Sequence, residues 1–265
     1  MIPLDYHMHS LYSEDGKDTL EAMCRRAIAL GIPEIGFAEH WDVGPYEKKP
    51  RFFQPEAWYT EIEHMRGLFS ENLTIRAGVE IAEPHLYPQG SAEILSRAPF
   101  DFVLGSVHFV GPNFMFDEDF FRSHTADDAY RSYFSEVETL LETADIDILS
   151  HLDIPVRTAE PILGYDPARY EEEIRRILSR VIDRGLSLDV NASGLRKPSH
   201  NLMPDPQILK LYAGMGGVRV TLGSDAHSAA QVGMHLDYAM EAIRQAGISQ
   251  YTRFEKRKQQ FIKFK

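Results

Sequence analysis

The chain has 265 residues, 43% hydrophobic and 26% charged, which is enough to build one large core. Its formal net charge of −12 and its lack of a basic block argue against a nucleic-acid surface built from lysine and arginine. With Cys24 as the sole cysteine there is neither an internal disulfide nor a thiolate zinc site, and no apolar run approaches the roughly 18 residues of a membrane span.

In chain order, Leu4-Asp5-Tyr6-His7-Met8-His9-Ser10 reads as a short strand ending in two histidines one residue apart. Residues i and i+2 of a strand share a face, so His7 and His9 can aim both imidazoles at one point. A polar loop, Leu11 to Lys17, leads to the capping box Asp18-Thr19-Leu20-Glu21 and a helix through Leu30, stopped by Gly31. Cys24 falls in that helix as a small core residue. Glu34 to Ala38 is a strand followed by Glu39-His40. A loop with Lys48, Lys49 and Arg51 then runs to Gln54, and Pro55 opens a helix to about Ser70. Leu73 to Val79 is a strand ending in Glu80, Ser91 to Arg97 a short helix, and Phe100 to Val107 a strand ending in His108.

An aromatic loop, Phe109 to His124, follows and is expected to pack over the neighbouring rim or to act as a lid. The spacing of Tyr130, Phe134, Val137 and Leu141 predicts a helix from Asp127 to Thr143. Ile146 to Leu149 is a strand with Ser150-His151 at its end. Helices are expected from about Pro167 to Asp183, from Pro204 to Ala213 and from Ala229 to Ala246. Strands are expected at Leu186 to Val190, ending in Asn191, and at Val218 to Leu222, running into Gly223-Ser224-Asp225-Ala226-His227. The tail carries a short strand near Tyr251 and a solvated basic segment, Lys256-Arg257-Lys258. No repeat or linker divides the chain, so residues 1–265 are expected to form one domain, and the absence of a signal-peptide pattern points to the cytoplasm.

Alternating strands and helices imply a parallel sheet, closed or doubly wound, and the missing glycine-rich fingerprint after the first strand counts against a dinucleotide-binding fold. The strand ends share a further feature. His7, His9, His40, Glu80, His108, His151, Asp225 and His227 each stand just past an apolar run, with Asp15 in the first loop beyond. In a parallel barrel these ends form one rim, where active sites sit. Nine imidazole and carboxylate donors without thiolate suit two or three divalent ions: zinc, manganese or iron. Ions about 4 Å apart, bridged by a carboxylate and a hydroxide, are an arrangement that hydrolyses phosphate esters. His64 and His235 lie mid-helix and His124 before a helix, as surface or core groups. His85 and His200 lie on the active rim, within reach of a substrate.

His7-Met8-His9-Ser10, Glu39-His40, Gly78-Val79-Glu80, Gly105-Ser106-Val107-His108, Ser150-His151-Leu152-Asp153 and Gly223-Ser224-Asp225-Ala226-His227 resemble the motif series of the polymerase-and-histidinol-phosphatase (PHP) family. The segment from Asn191 to Pro198 further resembles the histidinol-phosphatase branch. The resemblance implies a distorted (β/α)7 TIM-like barrel, a trinuclear metal centre, and hydrolysis of L-histidinol phosphate in histidine biosynthesis. By similarity, His7, His9, Glu80 and Asp225 hold one ion. Glu80, bridging, holds a second with His108 and His151. Asp15, His40 and His227 hold the third, although some members carry histidine where this chain has Asp15. Catalysis would rest on Glu80, Asp225 and His227. Arg157, Arg196 and Lys197 follow strands on the same rim and suit a phosphate, with Arg196 favoured by the motif. Glu83, His85 and Trp41 are candidates for the rest of the substrate. Alternatives are another small phosphate ester or a nucleotide as substrate, or a non-catalytic metal-binding module. No contact with nucleic acid or membrane is expected.

Overall fold

In the computed structural model, which describes residues 2–264, six parallel strands form one curled sheet. These are β1 (Glu34–Trp41), β2 (Thr74–Ala82), β3 (Phe102–Ser106), β6 (Ile148–Leu149), β7 (Ser187–Asn191) and β8 (Val220–Gly223), in that spatial order. The open side is filled by the N-terminal segment. Toward β1, Asp5 N donates to Glu34 O, and Gly36 N and Ala38 N donate to Asp5 O and Met8 O. Toward β8, Tyr6 N donates to Leu222 O, Asp225 N to His7 O and His9 N to Ala226 O, each at 2.7–2.8 Å. The segment pairs through the isolated parallel bridges Asp5↔Ile35 and Met8↔Ala226, and β6 has only two residues. The result is the expected seven-membered α/β barrel, distorted at these two places.

Helices cover the outside: α1 (Leu20–Ala29), α2 (Pro55–Leu68), α3 (Pro88–Arg97), α5 (Ala126–Thr143), α7 (Glu171–Asp183), α8 (Pro206–Gly214) and α9 (Leu236–Gln245). Thr19 caps α1 by accepting from Ala22 N, and Leu20, Met23, Cys24 and Ala27 turn inward at helical spacing. The expected helix from Ala229 is instead a 3-10 turn at Ala229–Gln231 followed by α9. Between them Gly233 and His235 take left-handed backbone, and Gly233 N donates to Asp5 Oδ2. The helix at Pro167 likewise begins as a 3-10 turn before α7. A helix not foreseen, α6 (Val156–Leu163), carries Arg157; its internal Pro161 hides the helical pattern. The aromatic loop holds a small hairpin, β4 (Phe109–Val110) with β5 (Asn113–Phe114), and a short helix, α4 (Glu118–Ser123). Met115 and Phe121 anchor it in the core, while Phe114 stays exposed.

Inside the barrel, Tyr6 stacks on Phe102 with ring centroids 4.9 Å apart. Gly36 and Gly78 make room for that ring, because a Cβ on either would fall within 2.6 Å of it. This aromatic layer lies beneath Glu80, two residues further along β2 and on the same face. The tail is a hairpin of β9 (Gln250–Glu255) and β10 (Lys258–Lys263). It covers the N-terminal end of the barrel, with Phe254 buried and its N–H donating to Tyr6 Oη. The basic segment in its turn is therefore not simply solvated: Arg257 pairs with Asp145 and Asp147, because the hairpin folds back onto the strand ends. No helix among the described residues is long and apolar enough to cross a membrane.

Candidate metal centre

Glu80, fully buried, is where the rim residues meet. His7 Nε2 is 3.2 Å, His40 Nδ1 3.0 Å and His9 Nε2 3.6 Å from Oε2. His151 Nε2 is 2.9 Å and His108 Nε2 3.5 Å from Oε1. Asp225 Oδ1 lies 3.5 Å from His9 Nε2 and 3.4 Å from His227 Nδ1. Asp15, the most exposed member, places Oδ2 3.0 Å from His227 Nε2 and Oδ1 3.7 Å from His40 Nε2. The structure thus brings all nine residues together.

Their donor atoms fall into overlapping groups of three, each within 4.8 Å: His7, His9 and Asp225; His7, Glu80 and His151; His40, Glu80 and His108; His9, His40 and His227. The first holds three of the four residues expected around one ion, without Glu80. The two around Glu80 join it to His7 and His151 and to His40 and His108, so His108 and His151, expected together, fall in separate groups. In the last, His9 stands where Asp15 was expected, with Asp15 beside His227.

The outer nitrogens of several rings are held from behind. His7 Nδ1 meets Asp189 Oδ2 at 2.9 Å. His227 Nδ1 faces the Asp225 carbonyl at 3.0 Å. Ser13 Oγ lies 3.4 Å from His9 Nδ1 and donates to Glu39, which also accepts from Ser10 N and Oγ. Such partners fix ring orientation and tautomer. Sequence reading missed Asp189 and the work of Glu39. A charged residue inside an otherwise apolar strand was the available signal for Asp189.

Burial opposes the charge on Glu80, yet His7, His40 and the bonds from His108 and His151 hold its carboxyl well below the usual range. Burial also disfavours the His7, His40 and His108 imidazolium ions. The carboxylates around them win, raising His40 to about 9 and the other two well above their ordinary value. His9 is pushed well down by burial and by its neighbours His40, His227 and His7, and His151 down by burial above all. His9 Nε2 is buried without a hydrogen-bond partner among the described residues. Crowded imidazole nitrogens and carboxylate oxygens of this kind are satisfied together by divalent cations, and the set fits two or three of them.

Above the centre opens a cavity of about 810 Å³. Arg157 borders it, with Nη1 3.6 Å from Asp225 Oδ2 and the guanidinium 4.3 Å from the centroid of the Phe116 ring. Asp42, Glu47, Phe109 and Phe114 also border it. The other expected substrate contacts have other partners. Arg196 donates to the carbonyls of Ser224 and Asp225, and Lys197 is exposed nearby. His85 pairs with Glu136 at 2.6 Å, Glu83 accepts from His108 N and Phe109 N, and Trp41 is buried with Nε1 on Gly90 O. None of these five borders the cavity, nor does His200. His64 and His124 lie at the surface, and His235 precedes α9.

The sequence model of the PHP domain family matches residues 5–193. The chain belongs to this family. Among curated relatives, a probable histidinol-phosphatase of Deinococcus radiodurans is 29% identical over 92% of this chain and 93% of its own. A histidinol-phosphatase of Lactococcus lactis is 26% identical over 96% of this chain and 95% of its own. The crystal structure of the Lactococcus lactis histidinol phosphate phosphatase, complexed with zinc, L-histidinol and phosphate, matches with a TM-score of 0.90 and 25% identity. It covers 98% of this chain and 99% of that one.

Proposed function

We propose that this PHP protein is a histidinol-phosphatase, cleaving L-histidinol phosphate to L-histidinol and phosphate as a cytoplasmic biosynthetic enzyme. The observation that carries this reading is the near full-length match to an enzyme holding zinc and both products of that reaction. His7, His9, Glu80 and Asp225 would hold a first ion, Glu80 with His108 and His151 a second, and Asp15, His40 and His227 a third. Divalent ions there supply Lewis acidity, acidifying water and neutralising phosphate oxygens. The whole chain, 1–265, acts as one catalytic domain.

The remaining roles belong to the cavity wall. Arg157, always charged and planar, grips the phosphate beside Asp225 and His227. Asp42 and Glu47 have no lysine or arginine ion pair among the described residues. Asp42 faces only the His108 ring, at 3.7 Å, and carboxylates with no fixed cation beside them repel a phosphate dianion, so their presence suits a substrate whose other end is cationic. The amine and imidazole of histidinol meet that condition, and Phe109, Phe114 and Phe116 offer apolar and π surfaces to the ring.

The test is turnover by protein reconstituted separately with Zn²⁺ and Mn²⁺, using histidinol phosphate, glycerol phosphate and p-nitrophenyl phosphate. A kcat/KM for histidinol phosphate about a hundredfold above the neutral esters is expected. Equal rates would assign a general phosphomonoesterase, and no turnover at all a binding module.

A further inference from the structure

β7 and the 3-10 turn after it, Ser193–Arg196, contribute no ligand to the centre, yet three of their side chains close around the ligands of one ion. Asp189 holds His7 Nδ1, and Asn191 Nδ2 lies 3.4 Å from Asp225 Oδ2. Arg196 reaches further. Its Nη1 donates to Ser224 O at 2.7 Å and its Nη2 to Asp225 O at 2.9 Å. Two neighbouring carbonyls therefore occupy both prongs of one guanidinium.

The residue between those carbonyls needs such a clamp. Asp225 has φ 53°, the left-handed region that side-chain-bearing residues rarely adopt. That turn sends its carboxylate toward His9 while its N–H still bonds His7 O. Its carbonyl accepts from Arg196 and faces His227 Nδ1, so the same contact bears on the ring of a second ligand. We propose that Arg196 is a positioning residue for the metal centre, locking the left-handed Asp225 turn so that Asp225 and His227 are held ready to bind ions. It acts through the backbone and not as a ligand of the phosphate. The inference needs the metal centre but not the identity of the substrate, so it stands or falls separately from the histidinol phosphate assignment.

The experiment compares wild type, Arg196→Ala and Arg196→Lys by zinc titration, by elemental analysis after dialysis against buffered Zn²⁺, and by inhibition with inorganic phosphate. Outer partners of metal ligands are worth roughly ten- to a hundredfold in affinity, so Arg196→Ala is expected to weaken its most affected zinc site by that factor. Added Zn²⁺ or millimolar guanidinium should restore activity. Arg196→Lys, whose single ammonium lacks the planar fork, should bind zinc with intermediate affinity. Wild-type zinc affinity in Arg196→Ala, with only phosphate inhibition weakened, would make Arg196 a phosphate ligand and overturn the proposal. If Arg196→Ala does not fold by circular dichroism, Arg196→Lys decides alone: zinc binding as tight as wild type overturns the proposal, and weaker binding in a folded protein supports it.

Discussion

At the N-terminal end of the barrel, Glu34 accepts from Arg76 Nε at 2.9 Å, Asp101 from Arg66 at 2.6 Å and Asp147 from Arg257 Nε at 2.9 Å. At the C-terminal end, Glu80 and Asp225 are buried just as deeply, and most of their neighbours are imidazoles. Arginine stays charged at any ordinary pH and its donors match carboxylate oxygens one to one, so the lower end is closed and saturated. An imidazole can surrender its proton and offer the same nitrogen to a cation. The two ends thus share an inventory of buried acids and differ in whether the partner can be exchanged. One is a structural seal and the other a site for ions.

The sharpest way to break that comparison is Glu80→Gln. Five imidazole nitrogens lie within 3.6 Å of the Glu80 carboxylate, so losing its charge undoes the centre at its middle. We expect kcat/KM to fall by about a thousandfold, roughly 4 kcal/mol, with fewer ions per chain by elemental analysis. A variant that keeps its ions and near-normal turnover would remove Glu80 from the centre.

The two ends also differ in how legible they are in the sequence. The upper rim announces itself locally, because each ligand follows an apolar strand and a parallel barrel brings every strand end to one place. That rule and the PHP motifs single out eight of the nine candidate donors, and Asp15, in the first loop beyond, is reached only by the resemblance. The lower seal has no local signature. Arg257 meets Asp147 across 110 residues, and nothing in Lys256-Arg257-Lys258 says that a hairpin carries it there. Substrate contacts fall between these cases. Arg157 and Arg196 both follow strands on the rim, but side-chain direction decides which one borders the cavity, and spacing does not encode that. His85 was misplaced for the same reason, its ring turning to Glu136 on α5.

Arg257→Ala is the matching break at the lower end. It leaves Asp147, largely buried, with the bond from Val103 N, and also removes the pair with the exposed Asp145, which counts for little. Stability is expected to drop by about 1–3 kcal/mol, read by denaturant midpoint. Zinc content and kcat should match wild type, since the seal lies at the opposite end from the ligands. Loss of zinc in a folded Arg257→Ala protein would mean that the hairpin governs the centre.

The last expected effect is thermodynamic and needs no mutation. In protein stripped of ions, the carboxylates keep His7, His40 and His108 protonated at neutral pH, while burial and neighbouring rings keep His9 and His151 neutral. An imidazole must be unprotonated to bind an ion, so zinc has to displace protons from the first three. Zinc affinity should therefore rise with pH, by up to about tenfold per unit for each proton displaced, through His40's value of about 9. For the stripped chain alone the sign reverses. The His40 imidazolium is favoured in the folded state, so its contribution is full below the ordinary histidine value of 6.5 and fades as pH rises through about 9. Calorimetric titration with Zn²⁺ in two buffers of different ionisation enthalpy gives the proton count directly, and melting of the stripped protein from pH 6.5 to 9 gives the opposing slope. No proton release, together with flat zinc affinity across that range, would show that the imidazoles are already neutral. The upper end would then be pre-deprotonated rather than held by exchangeable charge.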